Sequence, residues 1–188
     1  MPGSGRGAWG WHPLHPEWAR RIVADAGIQP GDLVFDLGAG TGAITLPLIE
    51  AGADVVAIEL HPRRVAALRR SVAGRAKVVQ ADLADLYLPR RPFRVVANPP
   101  FAITTQLVRA LLAARGLRSA DLVLQRGAAR GLSRRPPVPV RPGPHAGQQR
   151  SRRWTVGVGR HLPGAAFVVP PSVDTAVLQI RRRPPRPS

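Results

Sequence analysis

A rhythm in the sequence constrains this chain more than any other feature. Short apolar runs recur at residues 33–37, 55–58, 77–80, 93–97 and 121–125. The first four are followed by Gly38, Glu59, Asp82 and Asn98. Between the runs, apolar residues return at helical spacing, as Trp18, Ile22, Val23 and Ala26 do within 17–26. Further helices are expected at 43–51, at 62–72 (opened by Pro62) and at 105–114. Strands alternating with helices in this way predict an α/β chain with a mostly parallel, doubly wound sheet. Two more strands are expected at 154–158 and 176–180.

In such a sheet ligands bind outside the carboxyl ends of the strands, so the residues closing each run are the candidate site. Asp36-Leu37-Gly38-Ala39-Gly40-Thr41-Gly42 follows the first strand and opens a helix. Its glycines allow a sharp turn and close backbone approach to a ligand. The spacing is not the G-x-G-x-x-G of a dinucleotide site. An acid ahead of the glycines faces a pyrophosphate badly and suits a cationic group, such as the amino group of a methionine moiety. That favours S-adenosylmethionine over NAD. Glu59 is placed to accept hydrogen bonds from ribose hydroxyls. Asp82 is placed to accept from the exocyclic amine of an adenine.

Asn98-Pro99-Pro100-Phe101 is the sharpest signal. Two prolines stiffen the loop and remove two backbone donors, leaving carbonyl acceptors. The Asn98 side chain adds an acceptor, and Phe101 offers a face on which a base can stack. Acceptors converging on an amine hold it in line with a methyl donor, and positioning supplies most of the catalysis. Asn98, Pro99 and Phe101 are therefore the candidate catalytic residues. No arrangement suggests a metal site or a Ser/His/Asp centre.

Composition narrows the field. The chain has 188 residues and no cysteine, which excludes disulfide scaffolds, zinc–cysteine sites and thiol nucleophiles. No apolar run reaches the roughly 20 residues of a membrane span, and the N-terminus has no secretory pattern. A cytoplasmic protein is expected. The net charge is +17, which attracts a polyanion. Residues 1–122 carry 15 basic and 10 acidic residues, net +5; residues 123–188 carry 13 and one, net +12. Within 134–153, thirteen of twenty residues are Pro, Gly or Arg. Residues 127–153 are expected to form an irregular or disordered loop inside a single domain spanning 1–188, with 184–188 a polar tail. Trp9, Trp11 and Trp18 read as packing.

The ordered set Gly10-Trp11-His12-Pro13-Leu14, Asp36-Leu37-Gly38-Ala39-Gly40, Val56-Ala57-Ile58-Glu59-Leu60, Ala81-Asp82, Asn98-Pro99-Pro100-Phe101 and 167–177 (FVVPPSVDTAV) resembles the rRNA adenine N6-methyltransferase family. Within it the chain looks most like the erythromycin-resistance (Erm) branch. The resemblance covers about residues 9–183. It implies a Rossmann-like SAM-dependent methyltransferase fold, S-adenosylmethionine as cofactor, and 23S rRNA as partner of a monomeric enzyme. It implies N6-methylation of one adenine, giving macrolide, lincosamide and streptogramin B resistance. By motif, His12 and Leu14 would border the methionine end of the cofactor, and Gly38 and Gly40 would cradle it. Glu59 would hold its ribose and Asp82 its adenine. Asn98 would touch cofactor and target amine, and Phe101 would stack on a flipped adenine. His12 stands where the family more commonly has Asn. The chain ends just after the last expected strand, so the small C-terminal helical domain of most relatives is expected to be absent. Other readings are methylation of DNA adenine or of a glutamine amide, and a non-catalytic RNA-binding relative or inactive remnant.

Overall fold

The computed structural model describes residues 12–137 and 153–184. One seven-stranded sheet runs in the order β3-β2-β1-β4-β5-β7-β6. Its strands are β1 (Leu33–Leu37), β2 (Asp54–Glu59), β3 (Lys77–Gln80), β4 (Phe93–Ala97), β5 (Leu117–Gln125), β6 (Trp154–Leu162) and β7 (Thr175–Arg182). The pairs joining β1 to β5 are all parallel, and β7 lies antiparallel between β5 and β6. The strand order reverses between β1 and β4, which opens a crevice at their carboxyl ends.

Among the described residues five α-helices pack on the sheet: α1 (Pro16–Ala26), α2 (Thr45–Glu50), α3 (Pro62–Val72), α4 (Thr104–Ala113) and α5 (Arg126–Arg134). α1 starts on a proline and stops at Gly27, whose φ of 62° ends the helix in the left-handed region. Side chains alternate across each strand, and the two faces gather different helices. Val34, Val55, Val96 and Val123 pack with Ile22 and Val23 of α1 and Leu48 of α2. Ala57 on that same face of β2 meets Leu68 and Val72 of α3. Phe35, Ile58, Val95, Leu122 and Leu124 pack the other way, with Leu107, Leu111 and Leu112 of α4 and Ala129 and Leu132 of α5.

The elements match the sequence expectation in kind and differ at several ends. α2 begins at Thr45 because residues 39–44 are used up in turns. β5 begins four residues before the expected 121, since the polar Arg118 and Ser119 break the apolar run, although of the two only Arg118 is exposed. β6 extends to Leu162 and β7 to Arg182.

The expectation of an irregular 127–153 is corrected at its start. Residues up to Arg134 form α5. Gly127 and Gly131 each disfavour a helix by about 1 kcal/mol. Ala129 (0% exposed) and Leu132 (8%) sit three apart and bury against the sheet, which offsets that cost. The Arg126 guanidinium also holds the Asp174 carboxylate at 3.2 Å, and the Arg126 main-chain N–H donates to the Asp174 carbonyl at 2.8 Å. Residues 138–152 lie outside the described residues, as do Trp9, Trp11 and most of the polar tail. Among the described residues no helix is long and apolar enough to cross a membrane.

Candidate active site

The turn after β1 is built around Gly38. Its φ is +80°, and a Cβ there would lie 3.1 Å from Pro100 Cδ and 3.4 Å from Pro99 Cα. A side chain is therefore disfavoured both by backbone conformation and by the loop facing it. Gly38 and Ala39 N–H both donate to the Ile58 carbonyl, at 2.8 and 2.9 Å. The turn is thus tied to the end of β2 by main chain alone.

Glu59 ties it a second time. The residue is 4% exposed. One carboxylate oxygen accepts from Gly40 N–H at 2.8 Å, and the other accepts from His61 N–H, also at 2.8 Å. The Arg64 guanidinium lies 3.6 Å away. Each carboxylate oxygen has two lone pairs, so the bonds that orient Glu59 leave acceptor capacity toward the cavity it lines. Asp82 caps the short turn Leu83–Asp85 by accepting from Ala84 N–H at 2.8 Å, and it too lines the cavity.

Asp36 lies deeper, at 1% exposure. It accepts a 2.6 Å bond from the Thr45 hydroxyl. Burial pushes its carboxyl up to about 7, against the lowering effect of the Thr45 bond, and the nearby Glu59 charge adds to the rise. Asp36 borders a small recess of about 20 Å³ shared with Pro13, Gly38 and Asn98.

Asn98 follows β4. Its Nδ2 donates to the His12 carbonyl at 2.7 Å, which leaves the amide oxygen as the group able to accept from a ligand. Pro99 is buried behind it and Pro100 reaches the cavity wall. Phe101 stacks on the His12 ring, with centroids 5.6 Å apart and planes 22° from parallel.

These side chains surround a cavity of about 440 Å³, a size usual for small-molecule sites. His12, Gly38, Glu59, Asp82, Asn98 and Phe101, all singled out in the sequence, line it. Gly40 joins through Glu59, and Asp36 borders the adjoining recess. Leu14 is placed in the core at 3% exposure, bridged to Phe167. Leu60, Leu83, Ile103 and Arg64 also line the cavity without having been assigned roles. Leu60 and Leu83 each directly follow a strand-end acid, a position that was available as a signal. Arg64 has no such mark, because only the fold of α3 turns it back on Glu59.

The arrangement fits a ligand with a polar nucleoside end and a cationic end. Glu59 and Asp82 offer acceptors beside the apolar Leu60 and Leu83, and the buried Asp36 borders the recess that Asn98 also lines. S-adenosylmethionine has both ends. Residues Glu59, Asp82, Gly38 and Asn98 would hold it.

Sheet order and crevice are those of a Rossmann-like methyltransferase. The comparison with solved structures agrees: the 23S rRNA methyltransferase ErmE superposes with a TM-score of 0.79 at 26% identity, over 91% of this chain and 70% of that one. Residues 14–188 match the ribosomal RNA adenine dimethylase family, and the chain belongs to it. It is 32% identical over 184 residues to an rRNA adenine N-6-methyltransferase of Bacillus licheniformis, covering 95% of this chain and 62% of that protein. It is 37% identical over 153 residues to the mycinamicin-resistance protein MyrB of Micromonospora griseorubida, covering 80% and 47%. The chain thus spans about three fifths or less of the length of these curated relatives.

Proposed function

We propose that the protein transfers a methyl group from S-adenosylmethionine to the N6 amine of one adenine in 23S rRNA, and so confers macrolide, lincosamide and streptogramin B resistance. The reading includes a cytoplasmic location and action as a monomer. The observation that carries it is the Asn98-Pro99-Pro100-Phe101 loop at the cavity, with the Asn98 amide oriented by the His12 carbonyl. Family membership supports adenine in ribosomal RNA as the substrate. The likeness to ErmE and to MyrB supports the large subunit and resistance.

When bound, S-adenosylmethionine supplies an electrophilic methyl on a sulfonium. The chain's own part is positioning. The Asn98 oxygen and the proline-loop carbonyls accept from the two N–H bonds of the target amine, which turns its lone pair toward the methyl carbon. The new N–C bond forms as the S–C bond breaks, and the amine's extra proton leaves to solvent. Phe101 holds the adenine plane once the base has left its stack. Glu59 and Asp82 fix the cofactor's nucleoside end.

The test is transfer of labelled methyl to protein-free 23S and 16S rRNA, with the site mapped by primer extension. One stop at an adenine in the macrolide site, lost in Asn98→Ala, is expected. Label confined to 16S rRNA, to DNA or to a protein amide would overturn the substrate assignment. A folded protein that binds S-adenosylmethionine and labels nothing would overturn the activity.

A further inference from the structure

Two parts of the chain that are distant in sequence, the 98–101 loop and Val169, meet on His12. Its ring stacks on Phe101. Its Nδ1–H donates to the Val169 carbonyl at 3.0 Å. Its own carbonyl accepts from Asn98 Nδ2. The residues behind it are anchored as well. Val168 N–H donates to the Pro13 carbonyl at 2.8 Å, and His15 N–H donates to the Ala166 carbonyl at 2.9 Å. Leu14 bridges Phe167 between them, and both side chains are buried. This short antiparallel tie is a fixed point from which His12 reaches forward to the loop after β4.

Phe101 has little support of its own. It opens a single turn, Phe101–Ile103, closed by an Ile103 N–H to Pro100 carbonyl bond of 3.3 Å. A half-buried ring on such a turn has more than one rotamer open to it unless a neighbour removes the choice. The imidazole does this by covering one face of the ring, and a planar guest then has the other face.

We infer that His12 is a positioning residue for the target base: its ring backs Phe101 and its carbonyl aims Asn98, so both groups that meet the adenine are set by one residue. The inference rests on the methyl-transfer reading. It places His12 on the base side of the site, beyond the cofactor contact that family resemblance implies.

The experiment is a double-mutant cycle of His12→Ala and Phe101→Ala, with His12→Phe alongside, on whichever rRNA the wild type methylates. His12→Ala is expected to lower kcat roughly 10- to 100-fold, the scale of an ångström-sized misplacement. S-adenosylmethionine affinity is expected to stay within about 3-fold of wild type. In the Phe101→Ala background, His12→Ala is expected to cost less than about 3-fold more, because it acts through that ring. His12→Phe keeps a stacking face and is expected to recover most of the lost kcat. Should His12→Ala fail to fold, the cycle is run with His12→Phe against His12→Asn, where only the ring variant is expected to retain the coupling to Phe101. Multiplying effects, or a cofactor affinity that falls in step with kcat, would overturn the role. No transfer by the wild type would instead sink the methyl-transfer reading and this inference with it.

Discussion

Two buried acids, two strands apart in the sheet, are held in opposite ways. Asp36, at the end of β1, is 1% exposed and is held by a hydroxyl, that of Thr45. Asp121, within β5, is also 1% exposed, but an Arg181 guanidinium nitrogen lies 2.7 Å from it and Gln179 Nε2 donates to it at 3.3 Å. The second acid has its countercharge built in, so it belongs to the scaffold. The first has none at that distance, and burial keeps its carboxyl near half-protonated at neutral pH. A carboxyl in that condition favours the arrival of a cation. The contrast separates a ligand-facing acid from a structural one, although both lie on apolar strands with only β4 between them.

Asn98→Ala gives the largest expected effect on the ligand-facing side. Methyl transfer should fall by about 10²- to 10³-fold, as when one orienting hydrogen-bonding group is removed from a reacting centre. Little change is expected in the melting temperature, and rate and melting curve together check this.

The next effect is pH-linked and comes from Asp36. With a folded pKa of about 7 against an ordinary 3.8, the folded chain holds the extra proton between those values. Stability attributable to this group should therefore fall as pH rises from about 4 to about 7, by at most a few kcal/mol. Asp36→Asn should flatten that slope, measured as urea unfolding across the window. If a cationic ligand end settles beside Asp36, binding should release a proton near pH 6. Calorimetry in buffers of different ionisation enthalpy reads that proton directly, and no release would remove Asp36 from the ligand-facing group.

On the scaffold side, Asp121→Ala should destabilise by roughly 2 kcal/mol, below the usual figure for a broken buried pair because the Arg181 side chain is 35% exposed. Cofactor affinity should be unchanged, which chemical denaturation and titration on one sample would show. A loss of affinity would erase the distinction between the two acids. The smallest expected effect is that of Gly38→Ala, about 1–2 kcal/mol from a strained φ and a crowded Cβ. It should nonetheless weaken cofactor binding more than Asp121→Ala does.

Much of the ligand-facing side could be read from sequence because its groups close apolar runs. Gly38, Glu59, Asp82 and Asn98 each mark the point where a strand stops, and topology brings strand ends together. What could not be read was how they are held. The Glu59 bonds to Gly40 and His61, and the His12–Phe101 stack across 89 positions, depend on turns whose geometry no local pattern specifies. On the scaffold side, the front half of β5 was hidden by Arg118 and Ser119, polar residues that interrupt its apolar pattern, although Ser119 is buried opposite Arg181 of β7. α5 was hidden by its glycines, since burial of Ala129 and Leu132 is a tertiary effect that outweighs local propensity.

The missing side chain at Gly38 has a consequence for the order of events. Because the turn after β1 is packed against the Pro99-Pro100 pair, under the proposed function the loop that would meet the adenine abuts the turn that would cradle the methyl donor. A guest that shifts the turn by a few tenths of an ångström shifts the floor of the neighbouring pocket. The two affinities are then linked, and linkage is reciprocal: whatever factor the methyl donor adds to the grip on RNA, RNA must add to the grip on the donor. Under the proposed function the same contact would give the spent cofactor and the methylated base a shared influence on each other's departure.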